Sequence, residues 1–234
     1  MELEAGFSAV EGGFDLHFAG RLVLRHRAET PVLDSARGNP TVTMYRGNFK
    51  IEDAPEGQIT PLDSAVEDGS VTLSHEGTAV ARLELSDHRL TITLLTQGHD
   101  RIRLRWHGEP GEAVWGGGEQ MSYFALNGRT FPMWTSEPGV GRDKTTELTR
   151  QMDESGMAGG DYYHTNYPQP TILTSRWLAM HLDAACYSVV DCTDPAAHAF
   201  EVWNGTAAFE LYAADGPLDL VGQLSTRFGR QPRP

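Results

Sequence analysis

Short runs in which apolar and polar residues take turns set the tightest limit on how this chain can fold. FDLHF (14–18), RLVLRH (21–26), TVTMY (41–45), ARLELS (81–86), RLTITLL (89–95) and RIRLRW (101–106) all follow a period of two, which sends alternate side chains to opposite faces of a strand. EDGS, HEGT and SDHR lie between several of them and carry the turn chemistry of short antiparallel connections. A second group, TILTS, LAMHL, CYSVV, AFEVW and AAFELYA, follows residue 170. Each such strand has one apolar face to hide, and two antiparallel sheets packed face to face hide both. A mainly β, antiparallel β-sandwich is expected over residues 1–214.

Composition narrows the function. The 234 residues include 39% hydrophobic and 22% charged residues, the balance of an ordinary globular chain with enough length for a sizeable core. Acids outnumber bases 32 to 19, for a net charge of −13, which argues against nucleic acid as a partner because phosphate neutralisation needs clustered Lys and Arg. The first fourteen residues show no basic segment followed by an apolar one, and no apolar run reaches the ~18 residues of a membrane span. No membrane partner and a cytoplasmic location are expected. Cys186 and Cys192, with five residues between them, fit neither a redox pair nor a zinc half-site and read as two buried thiols. The nine histidines are scattered without ligand spacing, so no metal and no cofactor is expected.

Two segments break the alternation. Residues 108–170 are rich in glycine and hold five prolines, with little periodicity over a length that no mere connector needs; the segment reads as a functional insertion. From Pro217 to Phe228 the period becomes helical. Asp215 can cap, Pro217 suits a first turn, Leu218, Val221, Leu224 and Phe228 fall near one face, and Gly229 ends the run. RQPRP (230–234) then reads as a connection rather than a terminus, so residues 215–234 form a helix and linker.

WGGGEQMSYF (115–124), FPMWTSEPGVGR (131–142), GGDYYHTNYPQPT (159–171), MYRGNF (44–49) and FGRQP (228–232) together resemble the N-terminal domain of glycoside hydrolase family 31, and within it the sulfoquinovosidase branch. The likeness runs from about residue 14 to residue 232. It implies a galactose-mutarotase-like sandwich packed on a (β/α)8 barrel that would follow position 234, and an α-glycoside, sulfonated in this branch, as the carbohydrate partner. It also implies that the two catalytic carboxylates, which a retaining mechanism holds about 5–5.5 Å apart, belong to the barrel. No catalytic residue is therefore expected here, and the insertion is expected to lean over the barrel mouth, where such barrels keep their active sites.

Seven residues are candidates for the pocket wall or the barrel-facing surface. Glu119 and Gln120 follow three glycines that permit close backbone approach; Glu119 reads either as an ordinary turn residue or as a partner for a sugar hydroxyl. Trp134 can stack on a sugar face or pack with Phe131 and Met133. Arg142 can pair with an anion, or with Asp143 or Glu137, and Glu137 itself is a candidate. Asp161 and Tyr162 stand where relatives carry an acidic loop at the first subsite, although the family's Asn-x-Asp pattern is missing. His164 and His181 read as structural histidines.

Three other readings stay open at this level. The chain fits an α-glucosidase or α-xylosidase of the same family. It also fits a stand-alone carbohydrate-binding module, which needs an exposed aromatic platform, and a mutarotase-like epimerase, which needs a converging His and Glu.

Overall fold

The computed structural model describes residues 5–45, 48–138, 145–154 and 160–230. Among the described residues, nineteen strands and two helices form, as follows: β1 (Ala5–Val10), β2 (Gly13–Phe18), β3 (Arg21–Arg27), β4 (Leu33–Arg37), β5 (Pro40–Tyr45), β6 (Asn48–Asp53), β7 (Glu56–Ile59), β8 (Asp63–Glu67), β9 (Ser70–His75), β10 (Thr78–Ser86), β11 (Arg89–Leu94), β12 (Arg101–His107), β13 (Val114–Gly118), β14 (Thr130–Pro132), α1 (Glu147–Glu154), β15 (Pro168–Thr174), β16 (Leu178–Leu182), β17 (Ser188–Asp191), β18 (Ala197–Val202), β19 (Thr206–Ala213) and α2 (Pro217–Phe228). An eight-stranded sheet runs β13-β15-β16-β19-β11-β10-β9-β8 and a six-stranded sheet runs β14-β17-β18-β12-β4-β7. The hairpin β5-β6 and the small sheet β1-β2-β3 complete the architecture.

The alternation read from sequence becomes the core. Ile102, Leu104 and Trp106 of β12 turn inward, as do Phe200 and Val202 of β18, and they meet Leu90, Ile92, Phe209 and Leu211 of the opposite sheet in one apolar cluster. Phe200 bridges the sheets, its ring 4.9 Å from Trp106 and 5.1 Å from Phe209. Phe14, Leu16, Phe18 and Leu24 bring the small sheet into the same cluster. Arg176 ties that sheet down, donating to the Leu22 and His107 carbonyls at 2.8 and 2.6 Å and to Glu112 at 3.0 Å.

β19 is buried on both faces because α2 covers its outer side. Ala179, Tyr212, Ala214 and Leu220 form a second apolar cluster there. Arg227 grips Glu210 through Nε and Nη2 at 2.8 and 3.0 Å, and the Tyr212 hydroxyl donates to the same carboxylate at 2.6 Å. These donors, the Arg227 guanidinium first, hold the Glu210 carboxyl down at about 2. No helix among the described residues is long and apolar enough to cross a membrane, which leaves strand-spanning proteins aside.

The structure departs from the sequence reading in four places. The helix over 217–228 is present, but its cap is Gly216, with no side-chain bond, rather than Asp215; Asp215 is fully solvated and lies 3.9 Å from Arg21. The aperiodic insertion contributes two edge strands, β13 to the larger sheet and β14 to the smaller. It also contributes α1, where Thr146 Oγ1 accepts from Thr149 N at 3.3 Å and Arg150 pairs with Glu147 and Glu154. A polar helix held by such pairs shows no apolar stripe to read. Of the two thiols, Cys192 is buried while Cys186 is half-buried.

Two core histidines are built to stay neutral. His26 accepts from Val32 N through Nδ1 at 3.2 Å and lies 3.2 Å from the Leu62 carbonyl through Nε2, so a single neutral tautomer satisfies both neighbours. His198 is wholly buried against Trp106, and neither ring nitrogen has a hydrogen-bond partner among the described residues. Burial, first among the causes, lowers both from 6.5. A group whose folded value is lowered takes up protons more readily in the unfolded chain, so the stability it contributes is complete above 6.5 and drains as pH falls below it. The melting temperature is therefore expected to fall between pH 7 and pH 5. His198→Leu removes an unpartnered polar ring, and is expected to leave stability at pH 7 unchanged or higher while flattening the acid limb. A large loss at pH 7 with an unchanged acid limb would contradict this account.

Candidate functional site

Of the residues that stood out in the sequence, the described ones lie near β13 and β14, which edge the two sheets. β13 reaches its place through glycine. Gly116, Gly117 and Gly118 hold φ values of 114°, 75° and 83°, in the region that L side chains avoid. A Cβ on Gly116 would stand 2.2 Å from the Thr171 carbonyl oxygen, and one on Gly118 would stand 2.2 Å from that of Tyr167. Pairing with β15 shifts register between Gly116 and Gly118, a bulge that turns the following residues out of the sheet.

The chain leaving this bulge is stitched to its neighbours by Thr165, which is wholly buried. Its hydroxyl donates to the Glu119 carbonyl and accepts from Tyr167 N at 3.3 Å. Its own carbonyl accepts from Ser136 N at 3.0 Å, and Glu119 N donates to the Tyr167 carbonyl at 2.9 Å. Three separate stretches, around 119, 136 and 165, thus form one rim.

An aromatic chain extends that rim to the hairpin β5-β6. Trp134, 38% exposed, meets Phe49 edge-on at 5.7 Å and Tyr187 at 6.0 Å. Tyr187 packs on Trp203 at 4.5 Å, and Trp203 lies under the Arg101 guanidinium at 3.9 Å. Arg101 closes the circuit by donating to Asp53, at the hairpin's end, at 2.6 Å, with both side chains only 9% exposed. A buried charge pair of this kind fixes geometry more surely than it adds stability. Two open hollows flank Trp134, of about 300 and about 160 Å³.

The candidate residues fall into distinct settings. The Glu119 and Glu137 side chains are exposed and have no hydrogen bond or ion pair among the described residues. Gln120 donates to the Gly117 carbonyl at 2.8 Å, and its buried Oε1 has no partner among the described residues. Trp134 is half platform and half packing. The Tyr162 hydroxyl donates to the Thr130 carbonyl at 2.7 Å and its ring meets Phe131 edge-on at 5.5 Å, so it braces β14. Asp161 accepts from the Tyr163 hydroxyl at 3.2 Å, and its amide donates to His164 Nδ1 at 3.1 Å. Burial pushes both tyrosine hydroxyls up. Arg142 lies outside the described residues. His181 is structural in the way its surroundings demand, bonded to Thr171 Oγ1 at 2.9 Å with its ring against Phe228.

Thr165, Phe49, Lys50 and Tyr187 belong to the rim without having stood out as candidates; only MYRGNF and GGDYYHTNYPQPT marked the stretches around the first three. Among the described residues no group of three or more His, Cys, Asp or Glu is placed to hold a metal ion. What the rim offers is aromatic faces and hydrogen-bonding edges on a fixed frame.

Comparison with known proteins gives this arrangement a lineage. No family model matches the chain. A sulfoquinovosidase of Agrobacterium fabrum (strain C58) is 45% identical over 97% of the chain, and one of Escherichia coli (strain K12) is 38% identical over 98%. A solved family 31 sulfoquinovosidase from E. rectale, in complex with an aza-sugar inhibitor, superposes with a TM-score of 0.82 at 36% identity over 97% of the chain. The chain spans about a third of each, 34%, 35% and 35% respectively. It belongs to glycoside hydrolase family 31 as a partial, N-terminal portion on the sulfoquinovosidase branch.

The glycine bulge generates a direct test. Gly118→Ala adds both a strained φ and a collision with backbone that cannot rotate away, and is expected to cost ~2–5 kcal/mol and unpair β13 from β15. Gly128→Ala, with φ 74° but nothing within 4 Å of the added carbon, isolates the conformational cost of ~1–2 kcal/mol. Denaturant melts of both, with amide exchange at Gly116 to Gln120, separate the terms; equal losses and unchanged exchange would remove the close approach as the cause.

Proposed function

We propose that this chain is the non-catalytic N-terminal sandwich of a retaining α-glycosidase that hydrolyses α-sulfoquinovosides, glycosides of a glucose carrying a sulfonate at C6. In this reading residues 1–214 form the sandwich, residues 215–234 lead toward a catalytic (β/α)8 barrel on which it packs, and the whole enzyme works in the cytoplasm. The observation that carries the reading is the sustained identity to three sulfoquinovosidases across nearly the full chain.

The rim supports a role at the pocket wall rather than in bond cleavage. Thr165 and the Arg101–Asp53 pair hold the stretches bearing Glu119, Trp134 and Glu137 in place, as preorganised contacts to a sugar require. Rigid walls also exclude water where charge develops. Glu119, Gln120, Trp134, Glu137, Arg142, Asp161 and Tyr162 are proposed as wall or barrel-facing residues, with Tyr162 acting through β14.

The 234-residue chain alone is expected to leave nitrophenyl α-sulfoquinovoside and nitrophenyl α-glucoside intact, while the longer enzyme hydrolyses the sulfonated substrate with the higher kcat/KM. In that enzyme Arg142→Ala is expected to cost ~10- to 150-fold in kcat/KM on the sulfonated glycoside, the worth of one charged hydrogen bond, and much less on the neutral one. Turnover by the chain alone, lost on replacing one of its own acids, would overturn the non-catalytic role. A longer enzyme that prefers the neutral glucoside would overturn the substrate.

A further inference from the structure

A row of side chains in register crosses the outer face of the eight-stranded sheet. Trp115 of β13 pairs with Leu173 of β15, Leu173 with Ala179 of β16, and Ala179 with Tyr212 of β19. Their chain neighbours Val114, Ile172, Met180 and Leu211 belong to the core between the sheets, so the four share the opposite face. α2 covers one half of the row, where Ala179 and Tyr212 are buried with Leu220. The other half stays partly open, with Leu173 and Trp115 only half-buried.

That open half is apolar beyond what the sandwich needs for itself. The Trp177 and Phe124 rings lie 6.5 and 6.2 Å from Trp115, and Phe124 is 84% exposed. α2 adds to the same face. Its Phe228 ring meets His181 of β16 while Arg227 grips Glu210 of β19, and Val221, two turns before Phe228, shares its side. The strand order β13-β15-β16-β19 then turns that side toward β15 and β13. Leu218, Val221 and Phe228 are all exposed, Leu218 by 84%, where a helix facing water carries polar residues. Exposed apolar groups scattered singly need no account, but a continuous face marks a contact.

The occupant follows from the comparisons. The chain is the N-terminal portion, about a third, of the relatives it matches, and α2 is its last element, so in a protein of that length the remaining two-thirds starts beside this face. A free sugar would need placed hydrogen-bonding groups, whereas the face presents rings and aliphatic chains. We propose that the outer face formed by α2, Trp115, Leu173, Trp177 and Phe124 is a docking surface, distinct from the rim, which the following part of the longer enzyme covers. β13 serves both surfaces, with Trp115 before the glycine bulge and Glu119 beyond it. The occupant rests on the reading above; the face rests on this chain's own residues.

Hydroxyl-radical footprinting of the 234-residue protein and of the longer enzyme tests this. Phe124, Leu218 and Val221 are expected to be labelled readily in the first and protected in the second. The double variant Phe124→Ser, Leu218→Gln is expected to lower the melting temperature of the longer enzyme by roughly 5–10 °C. It should move that of the 234-residue protein by no more than about 2 °C, because both side chains already stand in water there. Equal labelling in the two proteins, or equal shifts, would overturn the proposal. So would a 234-residue protein that dimerises through these residues while the longer enzyme leaves them labelled, which would assign the face to a second copy. A longer enzyme that hydrolyses the sulfonated glycoside with Phe124 and Leu218 fully labelled would sink the surface and leave the glycosidase reading; protection in a longer protein without that turnover would do the reverse.

Discussion

The contact between Phe200 and Phe209 across the interior, with Trp106 packed at a tilt behind Phe200, is the interaction on which the rest of the molecule depends. It holds β18 and β12 of one sheet against β19 of the other. With the inner faces committed, each central strand has only its outer face left to arrange. β19 uses that face to seat α2 through Tyr212 and Glu210, and β12 uses it for Arg101, Arg103 and Arg105, paired with Asp53, Asp191 and Asp34. Aromatic burial of this size is the largest favourable contribution available to such a sandwich, whereas exposed pairs such as Arg82 with Glu84 add little. The charges select geometry, and the rings hold it.

The candidate rim lies at the edge, where the sheets run out of partners. β13 and β14 would be unremarkable edge strands if the chain between and after them simply returned to the core. Instead the glycines at 116 to 118 allow a close approach that a side chain would forbid, and past the bulge Glu119 is exposed while Gln120 folds back onto the Gly117 carbonyl. Thr165 then converts loops into a frame by satisfying backbone groups from two other stretches. A surface built this way combines the rigidity of a sheet with the chemical freedom of a loop, which suits contacts that must be in place before a ligand arrives.

The sandwich was legible because period two survives wherever one strand face is buried and the other wetted. RIRLRW shows it plainly: Ile102, Leu104 and Trp106 are buried and the intervening arginines lie on the outer face. The helix at 217–228 was legible for the corresponding reason, although its cap was not, since Gly216 offers no side chain to recognise. β13 and β14 were illegible because VWGGG and TFP are too short and too irregular to show a period. α1 was hidden because its stability comes from ion pairs along a polar face rather than from an apolar stripe. In the rim, Trp134 stood out by type, but its double setting did not, and Thr165 carried no signal of its own beyond the motif around it: a threonine between two polar residues reads as surface, and only its carbonyl and amide neighbours bury it.

The sequence by itself determined the class of fold and, through its shared motifs, the lineage, since alternation and local turn chemistry act over a few residues and do not need the rest of the chain. Tertiary structure alone decided which residues meet. Phe49, Trp134 and Tyr187 are far apart in the chain, and their contact follows from where Arg101 anchors the hairpin and how β14 pairs with β17. The hollows beside Trp134 were likewise settled only by packing, because each takes its walls from three or more distant segments. Local pattern fixes what a residue prefers to touch; the folded chain fixes what is there to be touched.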